Sequence, residues 1–173
     1  MGKINSRSKG RRGETMACDF FHEWSGMKFT RVPASGGLRW KNTTNTTGDI
    51  IADEPNYIFP FSIEAKNMSE INFQHMIYDV DSDIKKFWGQ CWNDAKRGNK
   101  VPLLLMRYNG LKGGMFFVVM QRSFYDKLVE MEDTINLKRL TYNQSLVITN
   151  TNELKSIPFS RVEKLAYKIL KIK

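Results

Sequence analysis

Apolar positions along the chain change period several times, and each change marks a predicted element. Met16, Phe20 and Phe21, with Trp24 beyond them, fall on one face at helical spacing, so a helix is expected from Gly13 to a stop at Gly26. Lys28 to Val32 reads as a strand. Asp49 to Ala52 reads as a short apolar strand opened by an acid. Tyr57 to Lys66 alternates: Phe61, Ile63 and Ala65 point one way and Ser62, Glu64 and Lys66 the other, with Pro60 at the start or at an edge. Residues 83–98 form an amphipathic helix whose stripe is Ile84, Phe87, Trp88, Cys91, Trp92 and Ala95. Strands are predicted over Val101 to Tyr108, Met115 to Met120 and Leu146 to Thr149, and a helix over Arg122 to Glu130. A terminal helix is predicted from Ser160 to Lys173, with Ser160 and Glu163 as a capping box. The order of elements predicts one α/β domain around a central mixed β-sheet flanked by helices, over residues 13–173.

Two stretches have no such period. Residues 1–12 contain Lys3, Arg7, Lys9, Arg11 and Arg12 and no acid, and read as a flexible basic arm. Residues 33–48 are polar and rich in Gly, Thr and Asn. A loop of that length in a compact domain is usually functional or disordered.

Charge narrows the partner. Lys and Arg number 27 against 18 Asp and Glu, a net charge of +9 that suits a polyanion. An anionic membrane surface competes with nucleic acid for that role, but no apolar run is long enough to span a bilayer, so no membrane partner is expected. Two cysteines, Cys18 and Cys91, are too few for a disulfide framework, and no signal-peptide core is present, so an intracellular, cytoplasmic location is expected. Cys18 and His22 lie four apart on the first helix, but no paired ligand spacing supports zinc, and core cysteines are the expectation. Asp79, Asp81 and Asp83 lack the glycine and terminal glutamate of a calcium loop and read as a helix N-terminus.

The residues that can carry chemistry are Asp49, Glu64, Ala65 and Lys66. Glu64 and Lys66 share one face of a strand, and Asp49 opens its neighbour, so all three can meet at one sheet end. Two adjacent carboxylates stay ionised only with a cation between them. Oxygen ligands without Cys or His select Mg²⁺, with Mn²⁺ as a substitute, and the Ala65 carbonyl can add a ligand. Such an ion can polarise a phosphate, while Lys66 steadies the attacking water or the developing charge. The alternative is a solvated Glu64–Lys66 strand pair and a turn aspartate. In the polar loop, Trp40 between Arg39 and Lys41 is a candidate DNA-binding wedge or stacking contact. Trp88 and Trp92, at helical spacing, read as core or as a dimer interface.

Four segments widen this picture: Lys9-Gly10-Arg11-Arg12-Gly13-Glu14, Arg31-Val32-Pro33-Ala34-Ser35-Gly36-Gly37, Gly48-Asp49-Ile50-Ile51-Ala52 and Ile63-Glu64-Ala65-Lys66. In order and spacing the sequence resembles the archaeal-type Holliday junction resolvases and their phage relatives, of the PD-(D/E)XK nuclease superfamily. Gly48 stands where that family has proline, and Leu38 to Thr47 is a longer stretch than the family's. The resemblance implies a restriction endonuclease-like core and a homodimer that makes paired nicks in a four-way DNA junction. It implies Glu14 as a third acidic ligand, Asp49 and Glu64 as the main metal ligands, and Lys66 as the catalytic lysine. Ser35 would assist at the scissile phosphate, and Lys9, Arg11, Arg12 and Arg31 would contact the DNA. Another nuclease of the superfamily, acting on forks, ends or duplex sites, would use the same residues. A non-catalytic basic nucleic-acid-binding module is the reading from a different class, which the acidic trio disfavours because carboxylates repel DNA unless a metal intervenes.

Overall fold

A computed structural model describes residues 6–32, 47–72, 83–131, 139–141 and 145–172. Helix α1 spans Ser6–Ser25, and its inner face, Ala17, Phe20 and Phe21 with Trp24, repeats at helical spacing. Gly26, at φ 77°, closes it by donating its N–H to His22 O at 2.8 Å. The helix starts at Ser6 rather than Gly13, so residues 6–12 of the expected arm are helical, and only the first five residues of that arm lie outside the described residues. Those early turns carry no apolar stripe for a sequence reading to detect. They are held instead by a tertiary contact: a Cβ on Gly13 would lie 2.8 Å from Asn67 Cβ, and Asn67 Nδ2 donates to Lys9 O at 3.1 Å.

Strands β1 (Phe29–Arg31) and β2 (Ile50–Ala52) pair antiparallel, Arg31 opposite Ile50. A bridge from Gly48 to Ile63 ties this ribbon to β3 (Phe61–Met68). Tyr57 to Pro60 precede β3 rather than belonging to it. Helix α2 (Asp83–Gly98) connects β3 to β4 (Val101–Tyr108), which lies parallel to β3 with Glu64 beside Leu104 and Asn67 beside Arg107. The crossover helix is what allows two sequential strands to run parallel. Strands β5 (Phe117–Gln121), β6 (Leu140–Thr141) and β7 (Leu146–Asn150) complete a mixed sheet in the order β3-β4-β5-β7-β6, antiparallel beyond β4. Helix α3 spans Arg122–Met131, α4 Thr151–Lys155 and α5 Phe159–Leu170. The result is a mixed sheet flanked by helices, as expected.

Strand β4 is buried along almost its whole length because both sheet faces are covered. Leu103 and Leu105 join Phe21, Phe59, Phe61 and Phe159 in the larger core under α1 and α5. Leu104 and Met106 join Ile84 and Cys91 in a smaller core under α2. Rings join the elements of the larger core: Trp24 meets Phe159 at 5.1 Å and Phe21 meets Phe59 at 5.5 Å, both edge to face. Trp88 packs on the smaller core, whereas Trp92 beside it is 40% exposed, so only the first is core within the chain.

Two elements were absent from the sequence expectation. Strand β6 spans only two residues, too few to show a period. Helix α4 is one short turn capped by Asn150, whose Oδ1 accepts from Asn152 N and Glu153 N. The expected capping box at Ser160 does not form: α5 starts at Phe159 after Pro158, without a side-chain cap. Glu163 Oε1 instead accepts the hydroxyl of Tyr57, so the carboxylate serves a long-range contact. Among the described residues, no helix is long and apolar enough to cross a membrane.

Candidate active site

Strand β3 is an edge strand of the main sheet, and the chain entering β2 crosses that edge. Asp49 N donates to Ile63 O at 2.7 Å, and Asp49 Oδ2 accepts from Ala65 N at 2.8 Å. These two bonds place the Asp49 carboxylate beside Glu64, as expected, but against the middle of β3 rather than at a sheet end. A strand residue points its N–H and C=O to the same side, so the Ala65 carbonyl also lies on the Asp49 edge. Gly48 makes the approach feasible. Its φ is 93°, and a Cβ there would lie 2.6 Å from Ile63 O. Proline, confined to negative φ, cannot occupy that position in this backbone.

Glu64 points to the α2 side, and the whole residue is 1% exposed. Burial pushes its carboxyl up to about 7, and the Asp49 charge adds to the shift, while Lys66 opposes it. Its Oε1 rests on the Lys66 ammonium but has no aligned hydrogen bond. Lys66 is held from the other side by the Phe87 ring, 5.2 Å from its ammonium. Asp49 is also raised, by burial first, with the Ala65 N–H and Lys66 countering and the charges of Glu14 and Asp94 adding. The site is thus a buried and a half-buried acid with one cation beside them, in which negative charge is in excess.

Glu14 reaches the site from α1. Its Oε2 accepts from Arg31 Nε at 2.6 Å, so the two residues that the resemblance assigned to metal and DNA are bound to each other. Among the described residues, no three acidic, His or Cys side chains converge tightly enough to hold an ion as they stand, since Arg31 draws off Glu14 and Lys66 covers Glu64. Arg11 and Arg12 are exposed on the first turns of α1, and Lys9 is half-buried beside Asn67. Ser35, Arg39, Trp40 and Lys41 lie outside the described residues, as do Asp79 and Asp81.

Asp94 was missed. It lies on α2, paired with Arg97, and its charge raises both Asp49 and Glu64. The available signal was its place three residues after Cys91, which is on the face of α2 that covers β3, with Cys91 Sγ donating to Ser62 O at 3.7 Å. Both cysteines are buried and free. Burial pushes the Cys18 thiol up to about 11 and raises Cys91 further, which holds both in the protonated thiol form, as expected of core cysteines.

The site has the donors for a divalent cation: the buried Glu64 carboxylate and the half-buried Asp49 carboxylate at one strand edge, and a backbone carbonyl beside them. Comparison with known proteins points the same way. Protein D14 of Escherichia phage T5 is 29% identical over 106 residues, which is 60% of this chain and 65% of that protein. No solved structure matches the chain. The family model described as "Phage putative PDDEXK endonuclease" matches residues 5–164, a span that contains Glu14, Asp49, Glu64 and Lys66. The chain therefore belongs to this phage family of PD-(D/E)XK nucleases, and its mixed sheet flanked by helices is a restriction endonuclease-like fold.

Proposed function

We propose that the protein is a Mg²⁺-dependent, structure-specific endodeoxyribonuclease that acts as a homodimer and resolves four-way DNA junctions by paired symmetric nicks. The observation that supports the chemistry is the Asp49–Glu64 pair pressed onto the β3 edge with Lys66 between Glu64 and solvent. The preference for a junction rests on the resemblance of the first 67 residues to junction resolvases.

Asp49, Glu64 and the Ala65 carbonyl would hold the ion, with Glu14 joining them on leaving Arg31. Bound there, Mg²⁺ (or Mn²⁺) supplies a Lewis acid for the phosphate and a water of lowered pKa. With an ion held there, the burial and the Asp49 charge that keep Glu64 near 7 would be offset, and both carboxylates would be ionised. Lys66, no longer needed by Glu64, turns its ammonium toward the phosphate oxygens or the attacking water. Arg31, released from Glu14, gains a phosphate as its new counter-ion. Two nicks placed symmetrically about a crossover require two such sites, which a two-fold dimer provides.

The test is a cleavage panel of four-way junction, fork, flap and linear duplex, in Mg²⁺ and in EDTA. Paired nicks near the crossover, with the junction alone and only in Mg²⁺, are expected. Asp49→Asn and Glu64→Gln should bind the junction and not cut it, and Lys66→Ala should lose cutting while remaining folded. Full cleavage by Asp49→Asn in Mg²⁺ overturns the metal assignment. Cutting of forks or duplex in preference to the junction replaces the substrate while keeping the nuclease. Sedimentation of the junction complex should give two copies of the chain.

A further inference from the structure

Arg107, the penultimate residue of β4, is buried at 6% exposure and, among the described residues, has no carboxylate partner. Its Nη2 donates to Leu111 O at 2.9 Å, and its Nη1 rests on the Met16 thioether, a weak acceptor. The Nε is buried and, among the described residues, has no hydrogen-bond partner. The Phe116 ring lies 5.7 Å from the guanidinium carbon. A charge of the same sign also bears on it: Arg12, one turn before Met16 on α1, lowers the Arg107 pKa further, after burial. Among the described residues, no ion pair involves either arginine. A guanidinium withdrawn from water beside a second one costs stability unless an oxyanion joins them.

Position indicates the anion. Arg107 stands beside Asn67 in the register, next in sequence to Lys66, so it is one strand inward from the catalytic edge. It faces α1, whose first turns also bring Lys9 and Arg11 to this end of the sheet.

We propose that Arg107 and Arg12 together grip one backbone phosphate of the DNA substrate on the α1 face of the sheet, across β3 from the face that carries Glu64 and Lys66. This rests on the nuclease reading above and adds a subsite to it. Arg107 supplies a planar donor set fixed by Leu111 and Phe116, and Arg12 supplies an exposed arm that closes over the phosphate. The flexible Met16 side chain gives way at Nη1.

The experiment measures binding of a fluorescent linear duplex and a four-way junction in EDTA, across a salt series, for wild type, Arg107→Met, Arg107→Lys, Arg12→Met and the Arg12→Met/Arg107→Met double variant, with Tm recorded for each. Arg107→Met should keep or raise the Tm, because an unpaired buried charge has gone. It should bind both DNAs more weakly, with a slope of log Kd against log salt smaller by about one. Arg12→Met should lose the same contact, and the double variant should lose less than the sum. Arg107→Lys, which keeps the charge and loses the fork, should bind more weakly at an unchanged slope. Unaltered affinity in Arg107→Met or Arg107→Lys, an unaltered slope in Arg12→Met, or additive losses overturn the subsite. A fallen Tm in Arg107→Met with wild-type binding makes Arg107 a strut for the turn at Leu111 and also overturns it. A wild-type protein that neither binds nor cuts any DNA overturns the nuclease reading itself. Wild-type cutting alongside any of the earlier outcomes removes the subsite alone.

Discussion

Glu64 and Asp49 oppose each other where Asp49 is hydrogen-bonded to Ala65 N, and the consequence is measurable without any substrate. The Glu64 carboxyl is raised from 4.5 to about 7, by burial first and by the Asp49 charge second. A carboxyl raised on folding stays protonated in the native state while the unfolded chain ionises. Stability therefore falls as pH rises from about 4.5 to about 7, and the loss is complete above that window. The expected size is on the order of 2–3 kcal/mol in the metal-free protein. Glu64→Gln should remove this decline, so that in EDTA it melts at a higher temperature than wild type at pH 8 and close to it at pH 4. Equal pH slopes in the two proteins would refute the assignment. Asp94 is expected to contribute through its charge alone: Asp94→Asn should lower the Glu64 pKa, as read by carbon-13 titration of its carboxyl.

At the scale of elements, two glycines hold the parts of the site together, and neither does so through flexibility alone. Gly13 lets α1 lie on β3, since a Cβ there would come within 2.8 Å of Asn67 Cβ. Alanine ordinarily stabilises a helix interior by about 1 kcal/mol over glycine. Here Gly13→Ala should instead destabilise by about 1–2 kcal/mol, because overpacking exceeds the helix gain. It should also reduce cleavage, since the displaced turn carries Glu14. Chemical denaturation and a nicking assay on the one variant check both. Gly48 has the more severe constraint, a positive φ and Ile63 backbone on top of it. Gly48→Ala should cost at least about 2 kcal/mol and pull Asp49 off the β3 edge.

At the scale of the whole molecule, stability and chemistry sit at different places. The rings of Trp24, Phe61 and Phe159 join α1, β3 and α5, while the acids gather at the β3 edge. Phe159→Ala should cost about 3–5 kcal/mol by calorimetry and leave the residual folded protein fully able to cut at low temperature. The net charge of +9 acts globally in turn. DNA affinity should fall steeply with salt, in proportion to the phosphates contacted.

What the sequence determined by itself is the set of local features with a period or a tight spacing. The helix Asp83–Gly98 and the strand Val101–Tyr108 were legible to the residue because an apolar stripe or run defines them. Asp49, Glu64 and Lys66 were legible because strand alternation and one short loop bring them together. Tertiary contact decided the rest. The first turns of α1 have no stripe and exist against Asn67. Glu163 serves Tyr57 rather than the helix start that follows Pro158. Arg31 goes to Glu14, Asp94 acts from across a helix, and Arg107 loses its water inside a sheet whose order no local pattern encodes. Each depends on groups far apart in sequence, and the energy of such a contact exists only once the chain has folded around it.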